Sequence, residues 1–392
     1  MFYVAYVLCK DNYCDYGIVG FYALSKEEGR LEHYLFSCRT IGMGIEQFIY
    51  SHLGFPELTV NGDVVTSLNR TDCPDWVTMV ENWSSLENTQ KASDKILVKG
   101  PCDVSQIIPF FSDGDVFETE FAYISQEKKG MYIEAFNHSS QILASLKLSE
   151  KEKKMMADTV PFIDSKYYET SIFEAKYDYI IFSLLSDYSL GLYRNKMKPD
   201  IVVPFGQYTR DFTKRENWNY AVSVLMQDGK TNEALEAQYK LFQENYEPIG
   251  HVSDDQLLQN LQEIRDRIDK DTTIIFINGA EMPFKRECKQ GYENREKLHI
   301  HFNGILENFV NRNSNCHIIN VNDFFEDDDP YLDTINHYKK VVYYRIAQGI
   351  KAYIAENGDD RDLAISAESL NPPKMNTLHK MLSKIVRKMR EK

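Results

Sequence analysis

Short apolar runs that alternate with helical stretches constrain this chain more than any other feature. Apolar runs of five to seven residues occur at 95–99, 131–135, 178–184, 272–278 and 317–321. Helical periodicity lies between most of them, at 140–157, 218–245, 254–269, 293–312 and 336–355. Strands that are apolar throughout are typical of a parallel sheet covered by helices on both faces. The sequence therefore predicts an α/β fold, a three-layer α/β/α sandwich with a mainly parallel five-stranded sheet.

Two polar, turn-rich stretches divide the chain. They predict an N-terminal segment at 1–82, a linker at 83–94, an α/β domain at 95–356, and a linker with a basic helix at 357–392. Between 374 and 392, seven residues are Lys or Arg and only Glu391 is acidic, and apolar residues recur at helical spacing. We expect this amphipathic helix to dock on an acidic partner or on the protein's own acidic body, and contact with a membrane surface is the alternative.

Charge and cysteine usage exclude several classes of function. The net charge of -14 disfavours nucleic-acid binding, which needs a basic face. No stretch approaches the roughly 18 apolar residues of a membrane span, and no charged leader precedes an apolar run, so we expect a cytoplasmic protein. The seven cysteines include no C-x-x-C pair, which argues against a disulfide framework and against a metal site.

The N-terminal segment contains a glycine-containing turn, S-C-R-T-I-G-M-G, before a predicted helix. Arg39, Gly42 and Gly44 form an R-x-x-G-x-G pattern in it. Glycines allow close backbone approach, and exposed amides at a helix start favour a pyrophosphate. An ordinary turn, with Arg39 paired to Glu46, is the alternative interpretation.

The stretches KDNYCDYGIVGFYAL (10–24), FSCRTIGMGIEQF (36–48) and FPELTVNGDVVTSLN (55–69) resemble the GNAT-like C-terminal region of FkbH-like proteins. Those proteins load glyceryl or related acyl units onto carrier proteins. The resemblance implies a partial GNAT-like α+β segment in which Arg39, Gly42 and Gly44 bind acetyl-CoA. A purely structural or interaction role for the segment is the alternative.

A thiol stands where the first predicted strand of the α/β domain meets the following helix. In KILVKGPCDVSQ, Cys102 follows Gly100 by two residues. A side chain on such a turn lies at the carboxyl edge of a sheet, where nearby amides and a helix start favour a thiolate. The alternative is a small buried side chain that only fills space.

Later strands end in groups that acyl transfer needs. Gly191 can offer a backbone amide after the third strand, and Asn278 an amide side chain after the fourth. After the fifth strand, His337 opens the last long helix, with Asp333 four residues before it. A nucleophile, two oxyanion donors and an imidazole with a carboxylate predict an acyl-transfer site.

The order of these residues resembles the SGNH (GDSL-like) hydrolase superfamily over about residues 95–355, in a variant with cysteine as nucleophile. The resemblance implies that Cys102 is the nucleophile, Gly191 and Asn278 are oxyanion donors, His337 is the base and Asp333 orients it. The superfamily's acid lies three residues before the histidine, where this chain has Thr334. Asp328, Asp329 or a backbone carbonyl are therefore alternatives to Asp333.

Together these patterns predict an acyl esterase or acyltransferase that works through a Cys102 thioester. The resemblances imply a surface polysaccharide or a carrier-bound acyl group as substrate, and a saccharide or small molecule as acceptor. The chemistry requires no cofactor, and acetyl-CoA or an acyl carrier protein are candidate acyl donors. The alternative is a noncatalytic scaffold that docks a carrier protein or an FkbH-like phosphatase partner.

Overall fold

The described part of the chain packs around four hydrophobic clusters of buried side chains. One fills a small N-terminal unit, two belong to a central α/β unit, and one fills a unit inserted within it. The computed structural model describes residues 2–10, 15–37, 40, 43–60, 64, 66–80, 94–111, 116–121, 123–124, 132–133, 137–226, 229–286 and 292–357. The basic segment predicted at 374–392 and most of the predicted linker at 83–94 lie outside these residues.

The N-terminal unit is a four-stranded sheet with one helix. Its elements are β1 (Phe2–Lys10), β2 (Asp15–Ser25), β3 (Arg30–Phe36), α1 (Ile45–His52) and β4 (Glu57–Leu58). β1, β2 and β3 are antiparallel neighbours, whereas β4 runs parallel to β3. On β1, Val7 is buried while Tyr6 and Leu8 are exposed, so the two faces of the sheet differ in burial. Lys340 of the central unit lies over the Tyr16 ring, 4.1 Å from its centroid.

The central unit contains a five-stranded sheet. Its strands are β5 (Lys95–Lys99), β6 (Val116–Glu120), β9 (Tyr179–Ser183), β13 (Thr273–Ile277) and β14 (Cys316–Ile319). The spatial order is β14-β13-β9-β5-β6, and every neighbouring pair is parallel. In order of appearance along the chain this is 2-1-3-4-5 read from β6, the flavodoxin-like arrangement. The predicted α/β fold with a five-stranded parallel sheet is confirmed.

One strand prediction was wrong. Within the run at 131–135 the structure describes the short strand β8 (Tyr132–Ile133), which pairs antiparallel with β7 (Tyr123–Ile124) outside the central sheet. The second central strand is β6, whose sequence VFETE carries two acids. β6 lies at the edge of the sheet, where polar side chains are tolerated, so a search for apolar runs overlooks it.

Both faces of the central sheet are buried. On β9, Ile181 belongs to one hydrophobic cluster, whereas Ile180 and Phe182 belong to the other. Helices supply the remaining members of both clusters, with Ile350 of the last helix on one side and Phe302 on the other. The helices of the central unit are α2 (Cys102–Ser105), α3 (Ser139–Lys147), α5 (Leu185–Ser189), α8 (Asp254–Arg267), α9 (Arg295–Val310) and α10 (Lys340–Asn357).

The inserted unit was not predicted as a separate body. Its elements are α4 (Glu150–Thr159), β10 (Leu190–Asn195), β11 (Val202–Gln207), α6 (Arg215–Leu225), α7 (Glu233–Asn245) and β12 (Tyr246–Gly250). The strands form an antiparallel sheet in the order β11-β10-β12. Where one helix was predicted at 218–245 there are two, because Asn232 caps a new helix start, accepting a hydrogen bond from the Leu235 amide at 3.1 Å. The predicted helix at 140–157 is likewise divided, by the capping box of Ser149 and Glu152.

Within the described residues, no helix is both long and apolar enough to cross a membrane.

Gly206 and Gly304 offer a matched test of the packing. Gly206 has φ +61°, and a Cβ there would overlap the Phe212 ring, so we expect Gly206→Ala to destabilise the protein by about 1–3 kcal/mol. Gly304 lies inside α9 with nothing within 4 Å of an added Cβ, so we expect Gly304→Ala to stabilise it by about 1 kcal/mol. Thermal unfolding of both variants measures this, and a Gly206→Ala variant as stable as the wild type would contradict the described packing.

Candidate functional site

A cavity of about 330 Å³ lies where the carboxyl edge of the central sheet meets the inserted unit. The central unit contributes the turns after β5 and β9, the start of α9 and the segment before α10. The inserted unit contributes β11 and α6. The lining residues used below are Pro101, Asp103, Phe205, Arg210, Phe212, Tyr220, Val224, Leu225, Tyr292, Arg295, Asn336 and His337.

Cys102 is the first residue of α2, directly after the turn that ends β5. Gly100 in this turn has φ +153°, and an added Cβ would lie 3.0 Å from both Ser183 Cβ and Val104 Cγ2. The turn therefore needs glycine, because a side chain would press on the next strand. The structure describes the backbone of Cys102 but not its side chain. Its neighbours Pro101 and Asp103 both line the cavity, so this turn forms part of the cavity wall.

His337 and Asp333 form a hydrogen-bonded pair at the cavity. His337 Nδ1 lies 2.8 Å from Asp333 Oδ1, and His337 lines the cavity. His337 does not open the last helix, as was predicted, but lies in the turn before it, since α10 begins at Lys340. The His337 backbone amide donates to the Thr334 carbonyl at 3.1 Å, and this hydrogen bond closes the turn. The closed turn brings the side chains of Asp333 and His337 into contact. Thr334 thus shapes the turn while Asp333 supplies the carboxylate.

The two partners of this pair are about equally exposed, at 30% each. Partial burial acts to raise the pKa of Asp333, but the hydrogen bond and the charge of His337 outweigh it and hold the pKa below its ordinary value. Asp333 is therefore ionised at neutral pH and can fix the orientation of the imidazole.

Asp103 is a site residue that the sequence reasoning missed. Its carboxyl is buried, accepts a hydrogen bond from Ser183 Oγ at 2.9 Å, and leaves Oδ1 without a hydrogen-bond partner among the described residues. Burial raises the pKa of Asp103 to about 7, although the Ser183 hydrogen bond and the His337 charge act in the opposite direction. This side chain can therefore change its charge near neutral pH, next to Cys102 in sequence and within the field of His337. Its position directly after Cys102 was the only signal in the sequence.

Gly191 and Asn278 are not among the described lining residues of the cavity. Gly191 is within β10, and an added Cβ would lie 3.2 Å from the Tyr208 Cα. Asn278 follows β13 as predicted, but its amide joins two neighbouring strand ends. Its Nδ2 donates to Asn320 Oδ1 at 2.9 Å, and its Oδ1 accepts from the Val321 amide at 2.8 Å. Asn278 thus holds the ends of β13 and β14 together.

Asn336 is an amide side chain that lines the cavity, as does Gln207 of the inserted unit. Asn336 directly precedes His337, and its Oδ1 is buried without a partner among the described residues. Its backbone amide donates to Thr334 Oγ1 at 3.3 Å, so the same turn holds Asn336 and His337. Asn336 was not predicted as a site residue because it does not directly follow a strand, where amide donors were expected.

A second group of catalytic residue types is buried away from the described cavity lining. His138, Ser139 and Asp187 are all fully buried. Ser139 bonds Asp187 directly through its hydroxyl, and His138 Nδ1 accepts from the Ser140 amide at 3.0 Å as the cap of α3. The hydroxyl bonds the carboxylate and not the imidazole, so the group lacks the geometry of a Ser-His-Asp relay.

The predicted CoA loop is described only in part. Arg39 and Gly42 lie outside the described residues. Gly44 precedes α1 with φ +81°, and an added Cβ would lie 3.0 Å from the Trp76 ring. Trp76 also donates to the Met43 carbonyl at 2.9 Å, so it covers the described part of the loop.

Among the residues that the structure describes, no three His, Cys, Asp or Glu side chains lie together as metal ligands would. Comparisons of the chain with protein-family models, with curated proteins and with solved structures find no match.

Asp103 generates a prediction about stability and pH. The folded protein holds a proton on Asp103 up to about pH 7, whereas the unfolded chain releases it near 3.8. Stability should therefore fall as the pH rises through this window, because the folded state binds more protons. Asp103→Asn removes this titration and still accepts the Ser183 hydrogen bond, so it should be more stable than the wild type at pH 8 by on the order of a few kcal/mol.

Melting temperatures at pH 5 and pH 8 measure this effect. The exposed Asp75→Asn variant is the matched control and should keep the pH dependence of the wild type. An Asp103→Asn variant that loses as much stability as the wild type between these pH values would contradict a titration of Asp103 in this range.

Proposed function

We propose that this chain is an SGNH-like acyl esterase or acyltransferase that forms a thioester on Cys102. One observation carries the proposal. His337, hydrogen-bonded to Asp333, lines the same cavity as the two residues that flank Cys102. A nucleophile and an oriented base at one cavity are the minimum that acyl transfer through a covalent intermediate requires.

Each step has a residue to perform it. His337 takes the thiol proton, and the Cys102 thiolate attacks the acyl carbonyl. The tetrahedral intermediate collapses with release of an alcohol or thiol, which receives the proton from His337. An acceptor hydroxyl, or water, then gives its proton to His337 and attacks the thioester, and Cys102 leaves as the thiolate. Asp333 keeps the imidazole oriented and stabilises its cationic form throughout.

Asn336 is the better candidate for the oxyanion donor than Gly191 or Asn278. It lines the cavity beside His337, whereas the Asn278 amide is engaged between strand ends. An amide donor that meets the developing oxyanion is worth roughly 10²- to 10³-fold in rate.

The acyl donor in this proposal is acetyl-CoA or an acyl carrier protein, and the acceptor is a saccharide or another small molecule in the cytoplasm. The partial GNAT-like segment would present the donor. Contacts between the two units support this arrangement. Lys340, three residues after His337 in the central unit, lies over the Tyr16 ring of the N-terminal segment, and its Nζ lies 3.7 Å from the Met43 sulfur.

The second candidate is a noncatalytic module that docks a carrier protein or a phosphatase partner. Exposed apolar side chains on the strands of the N-terminal sheet favour it, among them Tyr6, Leu8, Ile18 and Leu35. The reactivity of Cys102 separates the two candidates.

Alkylation of Cys102 by iodoacetamide, followed peptide by peptide, tests the nucleophile. We expect Cys102 to react near neutral pH faster than Cys73, which is exposed, and His337→Ala to slow Cys102 by at least about 10-fold because the thiolate loses its base. Cys73 serves as the internal control, since its rate should not change in that variant. Equal rates at both cysteines would favour the docking module.

Intact mass after incubation with acetyl-CoA and with simple thioesters tests the covalent step. We expect one acyl adduct that is absent in Cys102→Ala, and a rate of formation that falls about 100-fold in Asn336→Ala. Asn278→Ala is the matched control, because it should lower stability and leave the rate within a few fold. An adduct that persists in Cys102→Ala would refute the proposal.

A further inference from the structure

The cavity wall is positively charged although the chain as a whole is acidic. Two arginines, Arg210 and Arg295, line the cavity, and Asp103 is the one acidic residue among the described lining residues. The whole chain carries a net charge of -14. A positive concave surface in an acidic protein raises the local concentration of anions, and it does so most strongly where low-dielectric walls surround it.

Arg295 is buried in that wall. It is the first residue of α9, only 3% exposed, and its guanidinium carbon lies 4.6 Å from the centroid of the Tyr292 ring. Desolvation lowers the pKa of Arg295, although Tyr292, Tyr208 and Glu293 act in the opposite direction, and this lowering reflects the free-energy cost of holding a cation there. A bound anion would reduce this cost further.

Arg210 approaches the cavity from the inserted unit. Its guanidinium stacks on Tyr220 with 4.0 Å between the guanidinium carbon and the ring centroid, and both residues line the cavity. Stacking on an aromatic ring keeps the guanidinium flat against the cavity wall, where it places a second positive charge. The two arginines belong to different units, so an anion between them would be held from two sides.

The remaining wall suits a short apolar chain. Phe205, Phe212, Val224 and Leu225 line it from the inserted unit. A volume of about 330 Å³ is at the lower end of the range for ligand sites, which limits the bound group to a small one. The cavity therefore offers a reactive end at His337, apolar walls and fixed cations.

We propose that the acyl group transferred at this site is that of a small dicarboxylic acid, whose free carboxylate binds Arg295. This inference rests on the proposed function, since it names the substrate class of the same site. The planar guanidinium matches a carboxylate through two parallel hydrogen bonds, and Arg210 adds a second cation. The thioester carbonyl meets Cys102 while the far carboxylate remains unchanged, so the covalent step is the one described above.

Succinyl and butyryl thioesters test the proposal because they differ only in the terminal carboxylate. We expect the wild-type protein to form the Cys102 adduct about 10- to 100-fold faster with succinyl-N-acetylcysteamine than with butyryl-N-acetylcysteamine. Intact mass against time gives both rates. Equal rates would overturn the proposal.

Replacing the arginines tests whether they cause the preference for the succinyl over the butyryl thioester. Arg295→Gln should abolish it, and Arg295→Lys should retain part of it, because the charge remains and the two-pronged geometry is lost. Arg312→Gln is the matched control, since Arg312 is exposed just after the same helix and should keep the wild-type ratio. If Arg295→Gln does not fold, a reduced ratio in Arg210→Gln supports the proposal and an unchanged ratio contradicts it.

The coenzyme A versions of the same thioesters distinguish a carboxylate site from a phosphate site. A site for the carrier's phosphate would favour both CoA thioesters over both N-acetylcysteamine thioesters, without discriminating succinyl from butyryl, and that result would overturn the proposal. A succinyl preference of similar size with both carriers supports it.

Binding without chemistry separates failure of this inference from failure of the proposed function. Succinate, but not butyrate at equal concentration and ionic strength, should raise the melting temperature of Cys102→Ala, and Arg295→Gln should remove the effect. Selective stabilisation with no adduct from any thioester would support the carboxylate site and refute the acyl chemistry. Adducts formed at equal rates, with no selective stabilisation, would refute the carboxylate site and leave the acyl chemistry standing.

Discussion

Burial of both faces of the central sheet is the constraint on which the rest of the structure depends. Successive side chains of β9, such as Ile180 and Ile181, enter different hydrophobic clusters, so each face needs its own layer of helices. The inner strands β9 and β13 carry no charged side chain along their length, so the charged groups near them lie beyond the strand ends. The turn with Gly100 and Cys102, the Ser183 hydroxyl and the segment with His337 all meet at that edge.

The same constraint explains which parts of the fold were predictable. The centre of the run at 95–99, Ile96 to Val98, is apolar because both faces of the strand are covered, and so the run was recognisable from the sequence alone. The edge strand at 116–120 was not, because Glu118 and Glu120 are stabilised by partners far along the chain, Lys176 and Lys99 respectively. The inserted antiparallel sheet was missed for a related reason: β10 pairs with β12, and two helices lie between them in sequence.

Some residues of the candidate site were predictable from short stretches of sequence, whereas the roles of others depend on contacts with residues far away in sequence. Cys102 and the pair of Asp333 and His337 are each encoded by a short stretch, a glycine turn and a closed loop, and were identified by their spacing. The roles expected of Asn278 and Gly191 depended on where their side chains or amides point, which neighbouring elements decide. The pKa of Asp103 is raised because the side chain is buried beside Ser183, and no local sequence pattern connects these two residues.

The cavity is bounded by two bodies with separate hydrophobic cores. Phe205 and Phe212 belong to the core of the inserted unit, whereas Pro101 and His337 belong to the central unit. The width of the cavity therefore depends on the position of the inserted unit relative to the central unit. Sequence changes deep in the inserted unit, far from the turn at Cys102, would then alter the width of the cavity while that turn stays as it is.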